Sequence, residues 1–293
     1  MTYVLSIIAN PANPIINDEI LNRISLLSPQ GFVRELGKGI AYDLTAPHAN
    51  QELLTTARQI VQGLPIDLNI VPRTKRLKKL LIADMDSTII EQECIDEMAD
   101  HAGKRGEIAD ITERAMRGEL DFEAALKERV AMLAGLPTSV LSQTFENNIS
   151  LTPGARTLVK TMNANNGVTA LISGGFTYFT ERVAETVGFA TSQANELLID
   201  NEKLSGQVAE PILGRAAKQD ALLKIAGEHN IDLTQTIAVG DGANDLAMLG
   251  RAGLGVAFRA KPAVAEVADA RIDHGDLTAL LYLQGITTSE FLS

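Results

Sequence analysis

The sequence has a single cysteine, Cys94, and so cannot form an internal disulfide bond. It also has no hydrophobic run approaching the ~20 residues that a membrane-spanning helix needs. The first residues, MTYVLSIIANPANP, lack the basic head and the long apolar core of a signal peptide. These absences predict a soluble protein of the reducing cytoplasm with no membrane partner.

Positive charge and histidine are also scarce. Lys and Arg number 26 against 37 Asp and Glu, a formal net charge of −11. This balance argues against a nucleic-acid partner and implies that an anionic substrate needs locally placed cations. The one basic cluster, RTKRLKK at 73–79, contains no interleaved aromatic residue and is interpreted as a linker. The histidines follow no zinc-ligand pattern: His48, His101, His229 and His274.

A chain of 293 residues with 45% apolar content can form two domains. Residues 1–75 show strand and helix patterns in the order βαββαβ. This order resembles the ferredoxin-like folds and the amino-acid-sensing ACT domains. No motif here fixes a ligand, so a packing module, a homodimerisation module and a serine-binding effector module all stay open.

The stretch LLIADMDSTIIEQE at 80–93 is the centre of the chemistry. Its apolar start predicts a strand buried on both faces of a parallel sheet, and Asp84 and Asp86 follow at the carboxyl end of that strand. Ligands of open α/β sheets bind beyond such strand ends. If the backbone stays extended, residues i and i+2 point to one side. Two carboxylates at such a short distance repel each other, so they predict a metal ion or a shared proton between them.

Residues 92–150 contain no second strand–helix unit. They show successive amphipathic helix patterns, with Gly103, Gly118 and Gly135 as the expected stops. A helical insertion between the first strand of a sheet and the next has to lie above the crevice at the strand ends. We therefore expect a cap that excludes water and selects the substrate.

Two further strands are predicted to deliver polar groups to the same crevice. VTALISGGF ends in Ser173, Gly174 and Gly175, and these glycines let backbone N–H groups approach an anion. TIAVGDGAND delivers Asp241 in an acidic cluster that suits a hard cation such as Mg²⁺. Lys218 lies on a predicted helix, where an isolated lysine is most simply a solvated side chain.

This set of residues suits phosphoryl transfer to a carboxylate. A carboxylate that attacks phosphorus divides hydrolysis into two easier steps. Because a dianionic substrate repels that nucleophile, Mg²⁺ and a lysine ammonium have to neutralise the transferring oxygens. A second carboxylate can then protonate the leaving alcohol and later activate water.

Four segments resemble, in order and spacing, the motifs of the haloacid dehalogenase (HAD) superfamily: DMDST at 84–88, SGG at 173–175, Lys218, and GDGAND at 240–245. The resemblance implies an α/β fold, with a Rossmann-like parallel-sheet core at 76–293 and a helical cap at about 92–150, after the ferredoxin-like N-terminal domain. It implies Asp84 as nucleophile, Asp86 as acid and base, and Mg²⁺ held by Asp84, the Asp86 backbone carbonyl and Asp241. The remaining implied roles are phosphate binding by Ser173, Gly174 and Lys218, substrate binding by Gly175 and Asn244, and support of the metal site by Asn244 and Asp245.

Within the superfamily, DMDSTIIEQECIDEMA, LISGGFTYF and VGDGANDLAML are similar to the members that hydrolyse O-phospho-L-serine, the last step of serine biosynthesis. This similarity implies that Glu93 binds the substrate ammonium, that Arg129 binds its carboxylate, and that Met116 and Phe122 exclude water. By residue type alone, Glu93 and Arg129 would be surface charges. Met116 and Phe122 would be core residues. There are two alternatives. One is a phosphotransferase that passes the phosphoryl group to another alcohol, and the other is a regulatory protein with vestigial catalytic residues.

Overall fold

The computed structural model describes residues 3–46 and 50–293, so Thr2, in the first predicted strand, and His48 lie outside the described residues. The N-terminal part is a four-stranded antiparallel sheet with two helices. Its strand order β2-β3-β1-β4 and its element order confirm the ferredoxin-like arrangement. The elements are β1 (Tyr3–Ala9), α1 (Asp18–Ser25), β2 (Val33–Gly37), β3 (Ala41–Ala46), α2 (Gln51–Ile60) and β4 (Ile66–Pro72).

Both faces of this N-terminal sheet are buried. Leu5 of β1 packs in one apolar cluster with Ile24 of α1 and Leu54 of α2. Val4 and Ile8, on the opposite face of β1, belong to the apolar cluster of the following part of the chain. Successive strand residues point to opposite faces, so the sheet is covered by its own helices on one side and by the rest of the protein on the other.

The second sheet has six parallel strands in the order β12-β11-β10-β5-β6-β7. In its central strand β5, Leu81 and Ala83 join one apolar cluster and Leu80 and Ile82 join another, so the strand is buried on both faces as predicted. A two-stranded hairpin, β8–β9, follows β7. The strands are β5 (Leu80–Ala83), β6 (Val168–Phe176), β7 (Thr191–Asn195), β8 (Leu197–Asp200), β9 (Lys203–Val208), β10 (Thr236–Gly240), β11 (Gly255–Phe258) and β12 (Ala270–Ile272).

The order of the strands reverses beside β5. Leu81 pairs with Thr169 of β6 on one side and with Ile237 of β10 on the other. The chain leaves β5 through β6 and β7, then returns to build β10, β11 and β12 on the opposite side. Such a reversal opens a crevice at the carboxyl ends of the strands. Three of the four predicted motifs lie at the ends of the three strands that border this crevice, and the fourth, Lys218, lies on a helix.

The helices after residue 80 form a cap and the layers that flank the second sheet. The cap holds α3 (Cys94–Ala99), α4 (Arg105–Met116), α5 (Phe122–Ala131) and α6 (Ser139–Asn148), within the range predicted for it. Within residues 3–46 and 50–293, no helix combines the length and the apolar content that a membrane crossing needs. The other helices are α7 (Ala155–Ala164), α8 (Thr177–Val187), α9 (Arg215–Glu228), α10 (Leu246–Arg251), α11 (Pro262–Ala265) and α12 (Ala279–Leu283).

The cap is joined to the core by backbone hydrogen bonds at two places. At its hinge, Glu91 N–H donates to Ser150 O at 3.0 Å, beside the antiparallel bridge between the strands that enter and leave the cap. Beyond α5, Gly135 N–H donates to Leu204 O at 2.9 Å, and Leu204 N–H donates to Leu136 O at 2.8 Å. The hairpin β8–β9 therefore holds the far end of the cap.

Arg76, in the basic cluster at 73–79, connects the two sheets through hydrogen bonds. Arg76 pairs with Asp43 of β3, where its Nη2 donates to Oδ1 at 2.8 Å. The same guanidinium donates to the carbonyl oxygens of Tyr282, at 2.8 Å, and Leu283, at 2.5 Å, at the end of α12. These carbonyls lie in the last turn of the helix, so Arg76 caps its carboxyl end.

Two buried side chains of β4 cap the outer edge of β12. Asn69 forms two hydrogen bonds with the backbone of Arg271. The Asp67 carboxylate accepts from the backbone N–H groups of Asp273, at 2.9 Å, and Gly275, at 2.8 Å. The edge of the parallel sheet is thus satisfied by side chains of the N-terminal sheet.

Candidate active site

The two aspartates that follow β5 face one cavity. Asp84 and Asp86 keep extended backbone, with ψ of 158° and 139°, and Ser87 then turns the chain towards the cap with φ of 52°. Both carboxylates line a small cavity between the strand ends and the cap. The tight turn that follows β5 therefore fixes two acidic groups at the floor of an enclosed space.

Lys218 supplies a buried positive charge at this floor. Its side chain is fully buried rather than solvated, and Nζ lies 2.7 Å from both Asp84 Oδ1 and Asp245 Oδ1. Burial lowers the pKa of Lys218, but the two carboxylates raise it more, so the net pKa lies above its ordinary value. The ammonium therefore stays charged and can meet an anion bound beside Asp84.

Three buried carboxylates form a cluster that fits a divalent cation. Asp84, Asp241 and Asp245 each place an oxygen within 4.8 Å of the others. Burial and the charge of neighbouring carboxylates raise the pKa of Asp84 and Asp241 well above the ordinary range. Buried Asn244 Oδ1 has no hydrogen-bond partner in the part of the chain that the structure describes. One ammonium, that of Lys218, faces three carboxylates, and such an oxygen-rich set is the chemistry that Mg²⁺ prefers.

Asp245 differs from the other two carboxylates because protein donors occupy both of its oxygens. Oδ1 pairs with Lys218, and Oδ2 accepts from the backbone N–H groups of Asp241 and Gly242, each at 3.2 Å. A Cβ at Gly240 would overlap the Asp245 carboxylate. These contacts suit the predicted supporting role, in which Asp245 orients its neighbours.

Asp86 is held by a different set of donors. Cys94 N–H donates to its Oδ1 at 2.8 Å, and Ser173 Oγ donates to its Oδ2 at 3.3 Å. Gly175 N–H donates in turn to Ser173 Oγ at 2.8 Å. Burial raises the pKa of Asp86, which brings its proton exchange closer to neutral pH. Ser173, predicted to contact phosphate, thus contacts the second aspartate in this structure.

The cap contributes charged and apolar side chains to the opposite wall. Glu93 Oε1 accepts from Ser87 Oγ at 2.6 Å, and burial followed by the charge of Asp86 raises the pKa of Glu93 to about 8. Arg129 is only 2% exposed although it lies on a helix of the cap. The ring of Phe122 covers the backbone at Gly174, where an added Cβ would lie 2.6 Å from Cζ. Close packing of cap on core requires glycine there.

The structure gathers most of the predicted residues around this cavity. Those that line it are Asp84, Asp86, Glu93, Met116, Phe122, Arg129, Gly174, Gly175 and Asn244. Those that lie just behind its wall are Ser173, Lys218, Asp241 and Asp245. An ion pair between Glu113 of α4 and Lys261 of the core, at 2.6 Å, joins cap and core.

Sequence reasoning did not find Ile95, Leu126 and Phe176, which complete the lining of the cavity. Leu126 follows Phe122 by four residues and precedes Arg129 by three, so all three lie on one face of α5. This helical spacing is a signal that could have identified Leu126. The turn residue Ser87 carries no such signal, because its contact with Glu93 depends on the backbone reversal after β5.

The chain belongs to the haloacid dehalogenase-like hydrolases, whose family model matches residues 81–250. Its curated relatives include the phosphoserine phosphatase of Streptomyces coelicolor, 43% identical over 242 residues that cover 82% of this chain and 59% of the relative. The phosphoserine phosphatase of Mycobacterium tuberculosis is 46% identical over 215 residues, which cover 73% of this chain and 52% of the relative. The chain thus spans little more than half the length of these two relatives.

The similarity to solved structures extends over nearly the whole chain. The crystal structure of a probable phosphoserine phosphatase from Vibrio cholerae superimposes with a TM-score of 0.76 at 32% identity. The match covers 99% of this chain and 88% of that one. The parallel sheet, the cap and the additional N-terminal sheet are therefore a combination that this family already contains.

Proposed function

We propose that this protein is a Mg²⁺-dependent phosphatase that hydrolyses O-phospho-L-serine to L-serine and phosphate through an aspartyl phosphate on Asp84. The observation that carries the proposal is that Asp84 and Arg129 line one cavity. One end of the cavity offers a nucleophile beside a buried ammonium, and the other offers a guanidinium and a carboxylate. A phosphate ester of a small amino acid has matching groups at its two ends. The similarity to phosphoserine phosphatases supports the same substrate.

In the first half-reaction, an oxygen of Asp84 attacks phosphorus while the bond between phosphorus and the serine oxygen breaks. Lys218, 2.7 Å from Asp84, neutralises the transferring oxygens and lowers the repulsion between nucleophile and substrate. Mg²⁺, held by Asp84, Asp241 and the Asp86 carbonyl, would supply further charge stabilisation at this site. The backbone at Gly174 offers an N–H group to the phosphoryl oxygens.

Asp86 is the proton carrier of both half-reactions. It protonates the serine oxygen as that group leaves, and it then removes a proton from the water that attacks the aspartyl phosphate. Cys94 N–H and Ser173 Oγ hold the carboxylate in place, and its raised pKa suits a group that alternates between acid and base. Phosphate leaves, and Asp84 is regenerated.

At the cap end, Arg129 binds the carboxylate of the substrate and Glu93 binds its ammonium. Met116 and Phe122 add apolar surface to the cavity wall and so reduce the access of water to the reaction. Phe122 also covers the backbone at Gly174.

Phosphate release from a panel of phosphomonoesters, with Mg²⁺ and with a chelator, tests the activity. We expect O-phospho-L-serine to be the preferred substrate and the chelator to abolish turnover. Beryllium trifluoride, which mimics a phosphoryl group on a carboxylate, should bind at Asp84. No phosphate release from any ester, or an adduct at another residue, would contradict the proposal.

Several narrower expectations stay predictions. They are the domain boundary near residue 75, a homodimer, a serine effector at the N-terminal domain, a role in serine biosynthesis and a cytoplasmic location. Transfer of the phosphoryl group to other alcohols shares the first half-reaction. Added alcohols that lower the yield of free phosphate without slowing substrate consumption would reveal that activity.

A further inference from the structure

Arg129 is oriented by groups that are not acidic. Its Nε donates to Ala125 O, one turn earlier in α5, at 3.0 Å, and its Nη1 donates to Thr112 Oγ1 of α4 at 2.9 Å. Within residues 3–46 and 50–293, the guanidinium forms no direct ion pair and Nη2 donates to no protein acceptor. The side chain is buried and lines the cavity, so its remaining donors are available to a ligand there.

Glu93 lines the same cavity as Arg129, and a second acidic group, Asp96, is reached through the Thr112 hydroxyl. Thr112 Oγ1 is 2.7 Å from Asp96 Oδ1 of α3 and 3.0 Å from Ile108 O. A hydroxyl has one proton to donate, and a carboxylate is the stronger acceptor. Because the hydroxyl accepts from Arg129, it donates to Asp96. The three side chains form a line of guanidinium, hydroxyl and carboxylate across three cap helices.

We propose that Thr112 is a positioning residue for substrate recognition: its hydroxyl separates Arg129 from Asp96, fixes the guanidinium, and keeps its charge free for the carboxylate of the substrate. A direct pair with Asp96 would satisfy Arg129 inside the protein, and a substrate would have to compete with that pair. A hydroxyl spacer orients the guanidinium without neutralising it. This role rests on the proposed function, because it assumes a substrate with a carboxylate.

Thr112→Val tests the role, because valine keeps the shape of threonine and removes the hydroxyl. We measure kcat and KM for O-phospho-L-serine and for O-phosphoethanolamine, which differ only by the carboxylate. The wild type should prefer phosphoserine in kcat/KM. Thr112→Val should raise KM for phosphoserine about tenfold, the effect of ~1.4 kcal/mol, and leave both constants for phosphoethanolamine within about twofold.

Thr112→Ser keeps the hydroxyl and lacks the methyl group, and it should keep the preference for phosphoserine. If the methyl group were the part of Thr112 that matters, Thr112→Ser would lose this preference. Thr144→Val is the matched control, because Thr144 is a fully buried cap threonine whose Oγ1 has no partner in the described part of the chain. If Thr112→Val does not fold, as judged by circular dichroism and by turnover of phosphoethanolamine, Thr112→Ala replaces it with the same expectation.

The outcomes separate the two proposals. A wild-type protein that prefers phosphoserine, with a Thr112→Val variant of unchanged preference, overturns the role of Thr112 and leaves the proposed function intact. Equal losses for both substrates also overturn it, because they indicate a general structural effect. A wild type that treats the two esters alike overturns both the proposed substrate and the inference.

Discussion

The side-chain amide of Asn69 binds the backbone of Arg271 as a neighbouring strand would: Nδ2 donates to Arg271 O at 2.9 Å, and Arg271 N–H donates to Oδ1 at 2.7 Å. Asn69→Ala removes the partner of both backbone groups at a partly buried sheet edge. We expect the free energy of unfolding to fall by about 1–3 kcal/mol, as measured by urea denaturation. Turnover should be retained, because Asn69 does not line the cavity.

Asn22→Ala, at an exposed position of α1, is the control for the asparagine substitution and should change stability little. An Asn69→Ala variant as stable as the wild type would show that this edge contact contributes nothing to stability.

Asp84→Asn removes the proposed nucleophile and one of the three clustered carboxylates. We expect phosphate release to fall by more than about a thousandfold, since a carboxamide does not replace a carboxylate as nucleophile. Thermal stability in the absence of metal should be retained, because the substitution relieves repulsion among buried like charges. Turnover near the wild-type rate, in protein shown by mass spectrometry to retain Asn at position 84, would reject the assignment.

Arg129→Ala removes the guanidinium from the cap wall. We expect kcat/KM for O-phospho-L-serine to fall at least about thirtyfold, the equivalent of the ~2 kcal/mol that truncation of a buried charged contact costs. Hydrolysis of p-nitrophenyl phosphate, which has no carboxylate, should change much less. Arg105→Ala, at an exposed cap arginine paired with Glu97, is the control. Equal losses for the two substrates would remove Arg129 from substrate selection.

Glu93 should make phosphoserine turnover depend on pH. Its pKa is raised to about 8 by burial and by Asp86, with Asp96 raising it further and Ser87 and Arg129 lowering it. Below this pKa the side chain is neutral and binds an ammonium weakly; above it the carboxylate is ionised. We expect kcat/KM to rise with pH through this range, until the substrate ammonium loses its proton. Bound Mg²⁺ would add positive charge nearby and lower the midpoint of this rise, so the test is the direction of the change with pH.

The Glu93→Gln variant identifies the titrating group. Its kcat/KM should be lower and should lack this limb of the pH profile, whereas p-nitrophenyl phosphate should show no such limb with either protein. A limb that persists unchanged in Glu93→Gln would assign the titration to another group.

The sequence was sufficient for the interior strands of the parallel sheet and insufficient for the two edges of that sheet. The strands β5, β6, β10 and β11 are apolar runs because both of their faces are covered, and such runs are the strongest strand signal. The edge strands β7 and β12 were missed. TSQAN at 191–195 is polar, and β12 is only three residues long, so neither stands out from a loop. Side chains of another sheet satisfy β12, which no local pattern records.

The candidate site divides in the same way. Asp84, Asp86 and Asp241 could be placed together because parallel strands deliver their ends to one edge. The environments of Lys218 and Arg129 could not be derived from their helices, because a lone cation on an amphipathic helix most often faces solvent. Both are buried here, and only the resemblance to known motifs indicated their roles. Long-range contacts decide such cases.

The cap is tied to the core by backbone hydrogen bonds both at its hinge, near Glu91 and Ser150, and at Leu204 of the hairpin. If the cap moved as one rigid body and kept both sets of hydrogen bonds, it could only rotate about the line that joins them. Helix α4 is joined to the core by the half-exposed ion pair of Glu113 and Lys261. Water can replace this ion pair at little cost in free energy. We therefore expect the cap to open first on the α4 side, where Met116 lines the cavity, while α5 keeps its backbone connection to the hairpin.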